Sequence, residues 1–312
     1  MKKIFHLISA LVFVILTLTA CSGETQTENH KLKIISTVFP GYDFARAVAG
    51  DRAEIEMLIK PGSESHSYEP SLTDVSEIKK CDIFIYIGGE SDEWAGNILE
   101  STGTDGMRVI AMTDCVELHD EETVEGMECE TEDCDVNDAD EHVWTNPRNA
   151  EKILNVIADA MIESDSENAD YYRRNAQEYS QRLRALDGEL SQVVENAKRK
   201  TLVFAERFPF RYLTEQYGLD YYAAFKGCSS SNEPTLATVS FLVNKVKEEK
   251  IPVVFYIEFS TETVADKICA ETGAKKLLLH SCHNVTESDF NSGVTYIDLM
   301  EQNVNNLKEA LS

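Results

Sequence analysis

The chain has 312 residues, 43% hydrophobic and 27% charged, enough for two lobes of ordinary domain size with a core each. Asp and Glu number 55 against 29 Lys and Arg, a formal charge of −26. This rules out a collagen, a low-complexity chain and a wholly disordered one. So acidic a surface repels phosphate backbones, which makes nucleic acid a poor partner and cations a better one.

At the N-terminus, Lys2 and Lys3 precede an apolar stretch, Ile4 to Leu18, that is too short and one-sided for a membrane span. Residues 1–20 read as a removable signal. The stretch ends Leu18-Thr19-Ala20-Cys21, which resembles a bacterial lipobox with Cys21 as the lipidated new N-terminus. Residues 21–31 are then a flexible leash, and the mature chain is exported and anchored to the cell membrane through its lipid. Seven further cysteines, an odd number without a CxxC pair, argue against a dense disulfide scaffold. Cys81 and Cys269 lie in apolar segments and read as core. Cys129 and Cys134 could bridge in an oxidising compartment, which spacing alone leaves open.

Strand and helix patterns alternate from residue 32. Leu32–Ser36, Glu54–Ile59, Asp82–Ile87 and Met107–Met112 read as strands. The stretch after Pro40-Gly41 up to Gly50, Ser71–Lys80 and Asp92–Leu99 read as helices. The second half repeats the scheme, with strands at Thr201–Ala205, Tyr221–Phe225, Val253–Ile257 and Lys275–Leu279. Val239, Leu242, Val243 and Val246 fall at helical spacing, and the helix Glu262–Glu271 is closed by Gly273. The fold class is α/β, with mostly parallel sheets flanked by helices on both faces. Between the halves, Ser164-x-x-Glu167 fits a capping box. Tyr172, Ala176, Tyr179, Leu183, Leu186, Leu190 and Val193 then form one apolar stripe on a helix of roughly 45 Å. It reads as an intramolecular strut rather than a coiled-coil dimer, so a monomer is expected. The division is 32–163 for an N-terminal lobe, 164–199 for the connecting helix and 200–312 for a C-terminal lobe.

Glu117–Glu141 holds thirteen acidic residues and no Lys or Arg, and reads as a self-repelling mobile loop. GxGxxG, Walker, HExxH and GxSxG signatures are absent. The histidines are more telling. His66 sits in the loop after the second strand, where open α/β sheets place their ligands. His142 ends the acidic loop, with Trp144 and Pro147 to wall it from water and carboxylates beside it that can orient its ring. Glu206, Glu258 and His280 each follow a second-half strand, and His283 is an alternative to His280 or a second ligand. Together these outline one metal site between two lobes.

The segments Pro61-Gly-Ser-Glu-Ser-His-Ser-Tyr-Glu-Pro70 with Asp74, Asp82-Ile-Phe-Ile-Tyr-Ile-Gly88, Glu141-His-Val-Trp-Thr-Asn-Pro147 and Tyr217-Gly-Leu219 resemble a known family. It is that of the metal-binding lipoproteins of bacterial ABC uptake systems for zinc and manganese, the cluster A-I solute-binding proteins. The resemblance covers essentially the whole mature chain. It implies two α/β lobes joined by a long rigid helix, one metal ion buried between them, and an ABC permease as partner. His66 and His142 match two ligands of the N-terminal lobe. Counting back from Tyr217-Gly218 puts Arg207 where the family usually carries a third ligand; Arg cannot ligate, so Glu206 is assigned. The fourth, an Asp in the family, falls in His280-Ser-Cys-His283. Imidazole in place of carboxylate favours Zn²⁺, with Mn²⁺ the second choice. The chain is expected not to be an enzyme. A zinc hydrolase is the alternative, and an acidic adhesin without a metal the third reading.

Overall fold

The β-branched runs become two four-stranded parallel sheets in a computed structural model that describes residues 31–65, 68–127, 139–228 and 234–312. The signal, Cys21, His66, Cys129 and Cys134 lie outside these residues. In the first lobe, β1 (Leu32–Ser36), β2 (Ala53–Met57), β3 (Ile83–Tyr86) and β4 (Arg108–Ala111) lie in the order β2-β1-β3-β4. Ile34 pairs with Ile55 on one side and Ile83 on the other. In the second, β5 (Thr201–Phe208), β6 (Asp220–Lys226), β7 (Val253–Tyr256) and β8 (Lys275–Leu278) lie in the equivalent order β6-β5-β7-β8. Successive side chains of a strand point to opposite faces, and here both faces are covered. Ile34 and Ile35 are fully buried in different apolar clusters, and so are Phe204 and Val203. The resemblance's two-lobed α/β fold is borne out.

Helices link the strands. The first lobe has α1 (Phe39–Ala49), α2 (Leu72–Ile78), α3 (Glu93–Thr102) and α4 (Pro147–Ser164). After α5 (Ala169–Glu195) come α6 (Arg211–Tyr217), α7 (Leu236–Glu249), α8 (Thr263–Thr272), α9 (Glu287–Ser292) and α10 (Tyr296–Ala310). The 27 residues of α5 span roughly 40 Å. Its stripe belongs to the same buried cluster as Ile34 of the first sheet and Phe204 of the second, so one core runs along the helix through both lobes. No described helix is long and apolar enough to cross a membrane.

Three local readings change. Ser164 ends α4 instead of capping the long helix; Asp165 takes the capping role, accepting from Asn168 N in a 3-10 turn that precedes α5. Val194, not Val193, closes the buried stripe, because a 3.6-residue period drifts against a strict 4-3 alternation. The described ends of the acidic segment are solvated only in part: Asp120 bridges Ala139, and Glu121, Asp140 and Glu141 are buried, while Glu117, Glu122 and Glu125 are exposed.

Asp43 ties three helices together. Its buried carboxylate pairs with Arg46 on α1 and accepts from Tyr179 Oη of α5 at 2.6 Å and from Tyr296 N of α10 at 2.9 Å. Tyr179→Phe removes a hydrogen bond to a buried charge and is expected to lower unfolding stability by about 2 kcal/mol. The urea midpoint should fall with an unchanged slope.

Candidate metal centre

His142 precedes a 3-10 turn, Val143–Thr145, whose Thr145 N and Oγ1 both donate to the His142 carbonyl, at 3.1 and 2.9 Å. Asn146 caps α4 and Pro147 begins it, a start that fixes the chain's exit from the site. The His142 ring is 1% exposed. Its Nδ1 lies 3.1 Å from Asp140 Oδ1, which also accepts from the His142 backbone N at 2.7 Å. Asp140 therefore fixes the tautomer with the proton on Nδ1 and the lone pair on Nε2, the arrangement a metal-ligating imidazole uses. Burial lowers the pKa of His142, but the Asp140 carboxylate, with Glu141 and Glu121 beyond it, outweighs this and holds it above the ordinary imidazole value. Gly227 makes this packing possible: a Cβ there would lie 3.0 Å from the Phe208 carbonyl and 3.3 Å from His142 Cε1.

The second lobe answers with the loop after β8. Trp144 Nε1 donates to the Ser281 carbonyl at 2.8 Å and locks that loop to the first lobe. The rings of His142, Trp144 and His283 meet edge to face, with His142 and His283 centroids 5.4 Å apart. The loop is pinned from several sides. Asn284 Nδ2 donates to the carbonyls of Lys60 and Ser63, and Phe39 N donates to that of His283. Glu258 accepts from Ser281 N at 2.8 Å and from Ser281 Oγ. Cys282, between the two histidines, and Phe259, after Glu258, both have positive φ (62° and 61°). Side-chain-bearing residues rarely adopt this conformation, and such strain gathers at functional sites.

These residues close around a cavity of about 30 Å³, lined among others by Ser65, His142, Arg207, Glu258, Phe259 and His283. It has room for one water-sized occupant, and so for a bare ion but not for an organic substrate. A second cavity of about 160 Å³ adjoins it and shares Glu64, Arg207, Glu258 and Phe259 as lining.

The structure thus brings His142 and His283 together, with Glu258 on the same cavity. It places His66 outside the described residues, although its neighbour Ser65 is buried against the cavity. His280 is not among the residues that line it, although its Nδ1 lies 3.7 Å from Glu258 Oε2. Its Nδ1 accepts from Cys282 N at 2.9 Å, and its backbone exchanges hydrogen bonds with the Asn303 side chain of α10, so it shapes the loop that presents His283. Glu206 departs from its expected place. β5 continues to Phe208, with an irregularity in its pairing between Phe204 and Arg207, so Glu206 is inside the strand. It lines the larger cavity, where burial raises its pKa against the opposing effects of the Ser260 hydroxyl and Arg207. Among the described residues no three His, Cys, Asp or Glu side chains converge closely enough to hold a metal as they stand. Sequence reasoning missed Ser281 and Asn303, whose roles are hydrogen bonds within and below a loop and carry no motif.

A family model described as ZnuA, zinc-uptake complex component A, periplasmic, matches residues 34–310. The chain belongs to the ZnuA family. It is 33% identical over 310 residues to the zinc-binding lipoprotein AdcA of Streptococcus pneumoniae, covering 99% of this chain and 61% of AdcA. The chain thus spans less than two thirds of that relative. To the high-affinity zinc uptake system protein ZnuA of Bacillus subtilis it is 28% identical, over 94% of this chain and 92% of that one. Among solved structures, the Zn(II)-bound ZnuA-like domain of Streptococcus pneumoniae AdcA superposes with a TM-score of 0.75 at 30% identity, covering 90% of this chain and 99% of the domain. The metal-dependent lipoprotein YcdH of Bacillus subtilis gives 0.77 at 27%, over 90% of this chain and all of that one. The resemblance to the cluster A-I metal-binding lipoproteins drawn from the sequence therefore holds along nearly the whole described chain.

Proposed function

We propose that this chain captures a divalent transition metal, zinc before manganese, outside the cytoplasm and delivers it to an ABC permease. The observation that carries this reading is the pair of buried imidazoles, His142 and His283, 5.4 Å apart beside an ion-sized cavity. The relatives are named for zinc binding and zinc uptake. His142 and His283 supply nitrogen donors, Glu258 an oxygen, and His66, the residue after the cavity-lining Ser65, completes the set. Tetrahedral zinc with imidazole and carboxylate ligands suits this inventory. Glu206 and His280 are left out of the coordination shell. The protein works as a solute-binding component and not as a catalyst. Residues 32–163 and 200–312 act as the two jaws, and α5 limits their relative tilt. Cys21 carries the lipid that keeps the protein beside its permease.

Calorimetric titration of the metal-free protein tests the reading. About one zinc ion per chain should bind, and zinc at a hundredfold its Kd should add about 2.7 kcal/mol to stability. No binding heat together with no shift of the melting temperature would overturn it.

A further inference from the structure

Arg207 is an unexpected neighbour for a cation. It lines the 30 Å³ cavity with His142 and His283 and also the 160 Å³ cavity with Glu206 and Glu258. Its side chain is only 14% exposed, and its Nη2 lies 3.1 Å from Glu64 Oε2. Glu64 sits on the loop between β2 and α2, lines both cavities as well, and belongs to the other lobe. The ion pair therefore crosses from lobe to lobe at the edge of the metal cavity.

A guanidinium in this position acts in two ways. Its charge repels any entering cation, and it engages a carboxylate within reach of the same cavity. The donors remaining are dominated by imidazole nitrogen, with Glu258, which also accepts two hydrogen bonds from Ser281, supplying a single oxygen. Zn²⁺ is satisfied by such a set and by four ligands; Mn²⁺ favours carboxylate oxygen, the donor that Glu64 would add.

We propose that Arg207 sets the metal preference of this site by holding Glu64 out of the coordination shell. This rests on the metal-binding reading above and adds a selectivity residue to it. Without Arg207, Glu64 turns into the cavity and supplies an oxygen ligand. Both metals gain from the lost repulsion, and manganese gains more from the added carboxylate.

Affinities of the full chain for Zn²⁺ and Mn²⁺, measured by chelator competition, test this in wild type, Arg207→Gln, Glu64→Gln and the double variant. Arg207→Gln should strengthen manganese binding by about tenfold more than zinc binding. The double variant should return the zinc-to-manganese ratio to the wild-type value. Glu64→Gln alone, at a half-exposed position unsuited to unfolding the chain, should weaken both metals alike by removing a negative charge paired with the Arg207 guanidinium. If wild type binds zinc and the ratio stays constant through Arg207→Gln, the selectivity role is overturned and the metal reading stands. If wild type binds neither ion, both fall.

Discussion

His142→Ala is expected to weaken zinc binding by a hundredfold or more, since loss of only the hydrogen-bond partner behind a metal-ligating ring costs about 10–100-fold. Two effects combine. One nitrogen ligand disappears, and Asp140, a buried carboxylate that orients the ring through Nδ1, loses its partner. Asp140→Asn keeps the ring but not the charge that polarises it, and should fall in the intermediate range of about tenfold to a hundredfold. His283→Ala should resemble His142→Ala, because both rings line the small cavity. His280→Ala should do less, because its ring is spent on Cys282 N inside the loop. Calorimetry on the four variants, each checked for an intact fold by circular dichroism, gives the ranking. A large loss from His280→Ala with none from His283→Ala would reverse the choice between them.

The contrast between these histidines shows what could be read from the chain and what could not. The strands were legible because both sheet faces are covered, so β1 and β3 are written as near-continuous apolar runs. His142 was legible because Asp140 and Trp144 stand two residues to either side of it. The choice between His280 and His283 was not, since it depends on which ring Cys282, in its positive-φ conformation, turns toward the first lobe. Glu206 was misplaced for a related reason. The reading ended β5 at Ala205, but the strand runs on through its pairing with β6 as far as Phe208, and that register brings Arg207 to the cavity. Pairing with a distant strand leaves no local signal in the sequence of the strand itself. α4 and α10 were passed over because their roles are tertiary. They pack beside α5 and extend the core that its stripe begins.

Placing a strained, hydrogen-bonded loop of one lobe against a histidine of the other has an energetic consequence. His142 and His283 are held in place before the ion arrives, so little ordering of these two donors is left for binding to bring about. Trp144 to Ser281 and Asn284 to Lys60 hold the lobes at the site, while the core along α5 holds them behind it. A protein built this way is expected to open for release by a small tilt, with the loop contacts breaking first.

Acidification should separate metal binding from fold stability, and the two should move in opposite directions. Imidazole ligates only when neutral, so zinc affinity is full above the folded pKa of His142, which Asp140 holds above the usual imidazole value despite burial. As pH falls through that value, affinity should drop by about tenfold per pH unit for each imidazole that takes a proton, up to about a hundredfold per unit when two do. Fold stability without metal follows the other sign. A histidine whose folded pKa is raised contributes stability that is fully present below its unfolded pKa and is lost as pH rises through the folded one. Asp92 acts in the same direction. Burial pushes its carboxyl up to about 6, so the folded state takes up its proton before the unfolded state does, and the penalty for its buried charge is relieved below that pH. Melts in chelator at about pH 7.5 and about pH 5.5 should therefore show these two groups favouring the acid condition, while the extra stability given by zinc shrinks sharply. A zinc-induced rise in melting temperature that is as large in acid as at neutral pH would remove imidazole from the coordination shell.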